Sequence, residues 1–257
     1  MTPYATHLAV LFYGLCVGSF LNVCIYRIPE GKSVVRPGSA CPACKTAIRW
    51  YDNIPVLSYL ILRAQCRSCG EKVSVRYPSI ELLTGLFAIL SAYFFGFTAN
   101  ALVHFFFYSV LITITFIDID HGIIPDVISL PGIPLFFALS FFVSEISWSD
   151  AVLGILAGGG SLWLVAFLYL KLTGHDGMGM GDVKLLAMMG AFIGWQGVLF
   201  TIFFSSLTGT LIGFTLMVVQ RGNMKMSIPY GPFLAAGGAA YTLFGPDLIH
   251  WYFTLFR

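Results

Sequence analysis

The residues that could do chemistry in this chain sit where apolar runs stop. The first such place is FIDIDHGIIPD, residues 116–126, where a strongly apolar stretch over 101–115 feeds into three acids and a histidine. The second is GMGMGD, residues 177–182, whose acid lies 64 positions beyond Asp118 and opens a further apolar segment. Carboxylates are costly in hydrocarbon, so acids at the mouths of two apolar segments point to chemistry or transport at a membrane face. Asp118 and Asp182 are read here as a catalytic pair. Two carboxyl groups brought together do not both ionise comfortably and come to share one proton. The charged one can then draw a proton from water while the protonated one polarises a scissile carbonyl. The leaving amine is protonated in turn, which is aspartic-peptidase chemistry without a covalent intermediate.

The neighbours of the pair have structural readings beside the functional one. Asp118 and Asp120 are two residues apart, about 200° around a helix, so both cannot face one cleft. Asp126 follows Pro125 and precedes a new apolar run, which suits an N-cap. Asp182 could likewise cap the helix beginning with VKLLAMMG. On the functional reading, Gly177, Gly179 and Gly181 let backbone and substrate approach the acid unobstructed. GMGMGD lacks the Lys-Ser/Thr ending of a phosphate loop, so it does not read as a nucleotide site. Lys184 would either stabilise charge or anchor at the interface. His121 and His175 lie near the acids in sequence, without metal-ligand spacing.

Four of the six cysteines form two pairs, CPAC (Cys41, Cys44) and CRSCG (Cys66, Cys69), with 21 residues between them. That is close to the spacing of a four-thiolate zinc site; two redox pairs are the alternative. Four thiolates leave no open position, so such a metal would be structural. Cys16 and Cys24, in the first apolar segment, read as small buried hydrophobes. The basic residues around the pairs would touch anionic lipid headgroups or set topology. With no aromatic and basic stripe, nucleic-acid binding is not expected.

The elements that must position these groups follow from composition. Of 257 residues, 58% are hydrophobic and 10% charged, where soluble domains carry about 25% charged. This predicts an all-α polytopic integral membrane protein. A first helix is expected over residues 5–26, retained rather than removed as a signal. Gly14, Gly18 and Ser19 give it a small-residue stripe suited to helix contact, and Asn22 must find a polar partner or face substrate. Residues 27–76 carry nine of the fourteen Lys and Arg and form the one soluble module, too small for a substantial core. Further spans are expected over 78–94, 101–117, 127–142, 151–170, 185–203, 206–219 and 229–243, with a looser tail over 247–256. That makes about eight. The split at 203–206 rests on length, because an unbroken helix would reach about 52 Å against a hydrocarbon core of about 30 Å. The domain division is 1–26, 27–76 and 77–257.

With eight spans, the segments 27–76, 118–126, 171–184 and 221–225 share one face and hold thirteen of the fourteen basic residues. The positive-inside rule makes that face cytoplasmic, and Asp118 and Asp182 lie on it together.

Taken together, GSFLNVCIYRIP, the paired cysteine motifs, RYPSIELLTG (76–85), FIDIDHGIIPD, GMGMGDVKLLAMMG and IPYGPFL (228–234) resemble the bifunctional type IV prepilin peptidases. The resemblance covers nearly the whole chain and implies residence in the bacterial inner (cytoplasmic) membrane. In that family two aspartates, matching Asp118 and Asp182 here, remove the basic leader of type IV prepilins or type II secretion pseudopilins after a glycine. The same enzymes then methylate the new N-terminal residue with S-adenosylmethionine. Family members without the cysteine loop are often peptidases only, so the intact loop implies both activities. The donor site cannot be placed from the residues: 50 soluble residues leave no room for a dinucleotide-type domain. Glu81 is a candidate for the methyl-transfer region, with an interfacial helix cap as its alternative. A peptidase without methyl transfer and a carboxylate-dependent transporter are the competing functions. A transporter would place its acids near the bilayer midplane and often show an internal repeat, which is not evident here.

Overall fold

The structure is a computed structural model and describes residues 3–143, 146–175, 179–219 and 228–255. Gly177 and the connector 221–225 of the sequence reading lie outside the described residues. The protein is an all-α polytopic membrane protein whose chain divides into two compact units, Met1–Thr113 and Ile114–Arg257.

The first unit holds α1 (Pro3–Arg27), the cysteine module with its five-residue α2 (Leu57–Ile61), α3 (Arg76–Phe95), and most of α4 (Ala99–His121). α1 and α3 pack along the expected small-residue stripe. A Cβ on Gly14 would stand 2.6 Å from the Ala88 Cβ, and one on Gly18 would stand 2.7 Å from the Glu81 Cα. In lipid this contact rests on close van der Waals packing, since the tails outside are as apolar as the side chains. Asn22 finds a polar partner on α3: Nδ2 donates to the Tyr77 carbonyl at 3.2 Å. The α4 part of this unit meets its neighbours through rings, Tyr13 on Phe105 and Phe87 on Tyr108.

The second unit takes the end of α4 and then α5 (Asp126–Val143), α6 (Trp148–Thr173), α7 (Met180–Val219) and α8 (Gly231–Leu255). α6 lies on α7 through Gly154 and Gly158, four residues apart, where a Cβ would collide with the carbonyls of Gly190 and Leu186. α5 and α6 intervene between the two acids, so the chain crosses and returns before reaching Asp182, and both acids occupy one end of the unit.

Among the described residues, five helices are long and apolar enough to cross a membrane: α1, α3, α4, α6 and α7. α5 is apolar over Asp126–Phe141 but shorter, so the eight spans expected from sequence are not all matched on length and composition. Two boundaries differ outright. The chain runs helically through 203–206, and the break in α7 comes at Gly194, with φ 68° and ψ 178°. Only glycine adopts that backbone without strain. The pieces on either side, 180–193 and 195–219, are about 21 Å and 37 Å long. The tail expected beyond 247 is continuous with α8.

Candidate active site and metal centre

The turn after α4 explains how an acid comes to rest at a helix end. Gly122 has φ +63°, and its N–H closes the helix on the Asp118 carbonyl at 2.8 Å, a glycine stop of the usual left-handed kind. Pro125 then stands just ahead of α5. Asp118, one turn before the stop, is 5% exposed, while Asp120 and His121 are exposed. The two acids of FIDID therefore face opposite ways, as their spacing requires.

Two glycines bring the other elements to this acid. Gly231 opens α8 and donates its N–H to Asp118 Oδ2 at 3.0 Å. A Cβ on Gly231 would lie 2.6 Å from that oxygen, so a side chain here would displace the carboxylate. Gly181, in the first turn of α7, meets Ile124, where a Cβ would stand 2.9 Å from the Ile124 Cβ. Ile124 also lies against Gly231, where the same construction puts its Cδ1 at 3.3 Å. One isoleucine is thus wedged between the starts of α7 and α8. Asp182, one residue beyond Gly181, has its Oδ2 3.6 Å from a Cβ position on Gly179. The contacts of Ile124 with Gly181 and with Gly231 thus set the start of α7, where Asp182 lies, beside the segment that holds Asp118. Among the described residues no hydrogen bond reaches the Asp182 carboxylate, so the capping alternative for this acid has no bond behind it.

Two sequence readings change. Asp126 begins α5 and, rather than capping it, accepts the Lys184 ammonium at 2.7 Å and 2.9 Å. Lys184 is thereby tied to α5 and is an exposed link between helices, worth little in stability by itself. His175 is exposed in the turn after α6. Sequence reasoning does not single out Gly231, although it does find the motif that holds it. The role of this glycine needs the fold, because it acts on an acid 113 residues away. Behind it, the Tyr230 hydroxyl shares a 2.7 Å hydrogen bond with Ser205 of α7.

In the first unit the four cysteines converge. Their sulfurs lie within 4.8 Å of one another, with Cys41 to Cys69 at 3.9 Å and Cys44 to Cys66 at 4.0 Å. The edge of a tetrahedron with metal–sulfur arms of about 2.3 Å is about 3.8 Å, and a disulfide would need about 2.05 Å. The cluster is therefore of the right size to hold a metal ion, and all four residues are free cysteines. Each pair sits on the same turn. Lys45 N–H bonds the Cys41 carbonyl and Gly70 N–H bonds the Cys66 carbonyl, both at 2.9 Å. Matching bridges, Ala40 to Ala47 and Gln65 to Lys72, close the two turns. The Thr46 hydroxyl beside Cys44 and the backbone hydrogen bond from Thr46 bring the Cys44 thiol down to about 6. Arg67, inside the second turn, forks onto Asp52 with bonds of 2.6 to 3.1 Å, which fastens the intervening segment to the cluster. Of residues 27–76, only Cys41, Pro55 and Ser58 are buried. The module has no apolar core of its own.

Glu81 is 8% exposed and accepts the Val56 N–H at 2.8 Å. Of its two sequence readings, the cap is set aside: the carboxylate reaches the module rather than the start of its own helix.

Comparison with known proteins adds what geometry does not. Residues 12–95 match the model for the bacterial peptidase A24 N-terminal domain, and residues 105–214 match that for the type IV leader peptidase family. A prepilin leader peptidase/N-methyltransferase from Pseudomonas putida is 38% identical over 91% of this chain and 89% of its own length. Proteins of the same name from Pseudomonas aeruginosa and Neisseria gonorrhoeae are 38% and 39% identical, over 97% and 93% of this chain and 94% and 90% of theirs. No solved structure matches the chain.

Proposed function

The chain belongs to the type IV leader peptidase family, and on that premise we propose that it removes the basic leader of type IV prepilins or pseudopilins and N-methylates the new N-terminus. The observation that carries the first step is the convergence of Asp118, Asp182, Ile124 and Gly231 at one end of the second unit. One carboxyl takes a proton from water; the oxygen attacks the carbonyl of the scissile peptide while the other carboxyl donates a hydrogen bond to it. The C–N bond then breaks and the amine leaves with a proton. Gly231 N–H, at the N-terminus of α8, holds Asp118 in place whichever acid carries the shared proton.

These acids lie at helix ends, where water can reach them, and they face the cytoplasm of a bacterial inner membrane. α5, the two pieces of α7, and α8 complete about eight spans. The division of labour follows 27–76 as the metal module and 77–257 as the peptidase. The four cysteines hold one structural zinc ion, which leaves no position for substrate. S-adenosylmethionine supplies the methyl group to the new N-terminus, and the intact cysteine module favours this double activity over peptidase alone.

The reading is tested by giving purified protein a type IV prepilin and labelled S-adenosylmethionine, scoring leader loss and amine labelling separately. Both are expected; leader loss without label would leave the peptidase-only alternative. Gly231→Ala supplies a sharper test of the site. Its methyl group would move the Asp118 carboxylate by a fraction of an ångström to an ångström, so the cleavage rate is expected to fall on the order of 100-fold. A wild-type rate in that variant would separate Gly231 from the chemistry.

A further inference from the structure

Within the first unit, a cavity of about 330 Å³ opens between α1 and the cysteine module. One stripe of α1 forms a wall, with Cys16, Ser19, Phe20 and Val23 at successive helical contacts, and the loop carrying Val35 faces it. Arg27 lines one part of it. Its guanidinium donates to the carbonyls of Ser33 at 3.0 Å and Gly38 at 3.3 Å, which leaves three of its five N–H donors. Behind Ser19 stands Glu81, held by Val56 N–H at 2.8 Å. No step of leader cleavage uses this buried carboxylate.

The cavity therefore offers a guanidinium with spare donors and an aromatic and aliphatic surface, with a buried carboxyl group behind the Ser19 wall. A guanidinium and a carboxyl group beside an apolar slot suit a zwitterion that carries a flat ring. S-adenosylmethionine is such a molecule: a carboxylate, a sulfonium cation and an adenine. We propose that this cavity is the methyl-donor site, an assignment that rests on the N-methyltransferase reading above. Arg27 would hold the donor's carboxylate, Phe20 and Val23 its adenine, and Glu81 behind Ser19 would favour the sulfonium cation over the neutral thioether left after transfer.

The test uses full-length protein in nanodiscs and equilibrium dialysis against labelled S-adenosylmethionine and, separately, S-adenosylhomocysteine. Val35 is 77% exposed, so Val35→Trp blocks the cavity without touching packed helices. It is expected to weaken both ligands at least 10-fold while metal content and melting temperature stay at wild-type values. Glu81→Gln keeps an acceptor for Val56 N–H but removes the charge. It is expected to weaken the sulfonium ligand at least 5-fold more than the thioether, a selectivity shift that a merely structural role would not produce. Wild-type affinities in both variants would overturn the assignment. If the wild type methylates prepilin and Val35→Trp leaves the KM for the donor unchanged, the cavity is wrong and the methyltransferase reading stands. A wild type that neither binds donor nor labels the amine would remove both.

Discussion

Replacing either Asp118 or Asp182 with asparagine is expected to slow leader removal at least about 1,000-fold, within the range a positioned acid or base contributes. The fold should survive both changes. In Asp118→Asn the amide keeps an oxygen to accept the Gly231 N–H, a bond now made by the aspartate Oδ2 at 3.0 Å. Among the described residues the Asp182 carboxylate has no hydrogen bond to lose. Melting temperatures in detergent should therefore stay close to wild type. The double variant carries the more telling result. Two groups that share one proton act as a unit, so removing both should cost little more than removing one. Losses that multiply would mean two independent roles. A single variant that keeps a tenth of the wild-type rate would take that residue out of the pair.

Much of this arrangement is legible in the chain because each feature is local. Asp118 and Asp182 declare themselves by standing where apolar runs end, and the cysteines by their spacing. The Gly14 and Gly18 stripe is visible because four residues make one face of a helix. What escapes the sequence is what depends on a distant partner or on a single backbone angle. Length alone puts a break in α7 at 203–206, but length says that a helix must bend without saying where. Gly194 supplies the bend with a positive φ of 68°, yet glycines are common in membrane helices, and nothing local sets this one apart. Lys184 stands beside Asp182 in sequence and reaches 58 residues back to Asp126. Gly231 is the sharpest case, since its lack of a side chain matters only because Asp118 packs against it.

Removing the zinc ion proposed for the cysteine module is expected to unfold residues 27–76. With only Cys41, Pro55 and Ser58 buried there, little but the cluster and the Arg67–Asp52 fork holds the turns together. The fork is half-exposed on the arginine side and contributes little to stability, whereas structural zinc contributes on the order of 10 kcal/mol in small modules. Metal analysis should find about one zinc per chain, lost in the Cys41→Ser/Cys66→Ser variant. That variant, or chelated wild type, should become open to protease within 27–76 while α6 and α7 remain protected. Val56 would lose its fixed place against Glu81, so methyl transfer should fall before cleavage does, because the two acids lie on helices of the second unit. Fully reduced, active protein without bound metal would show that the four sulfurs, although spaced for a tetrahedral ion, hold their turns without one.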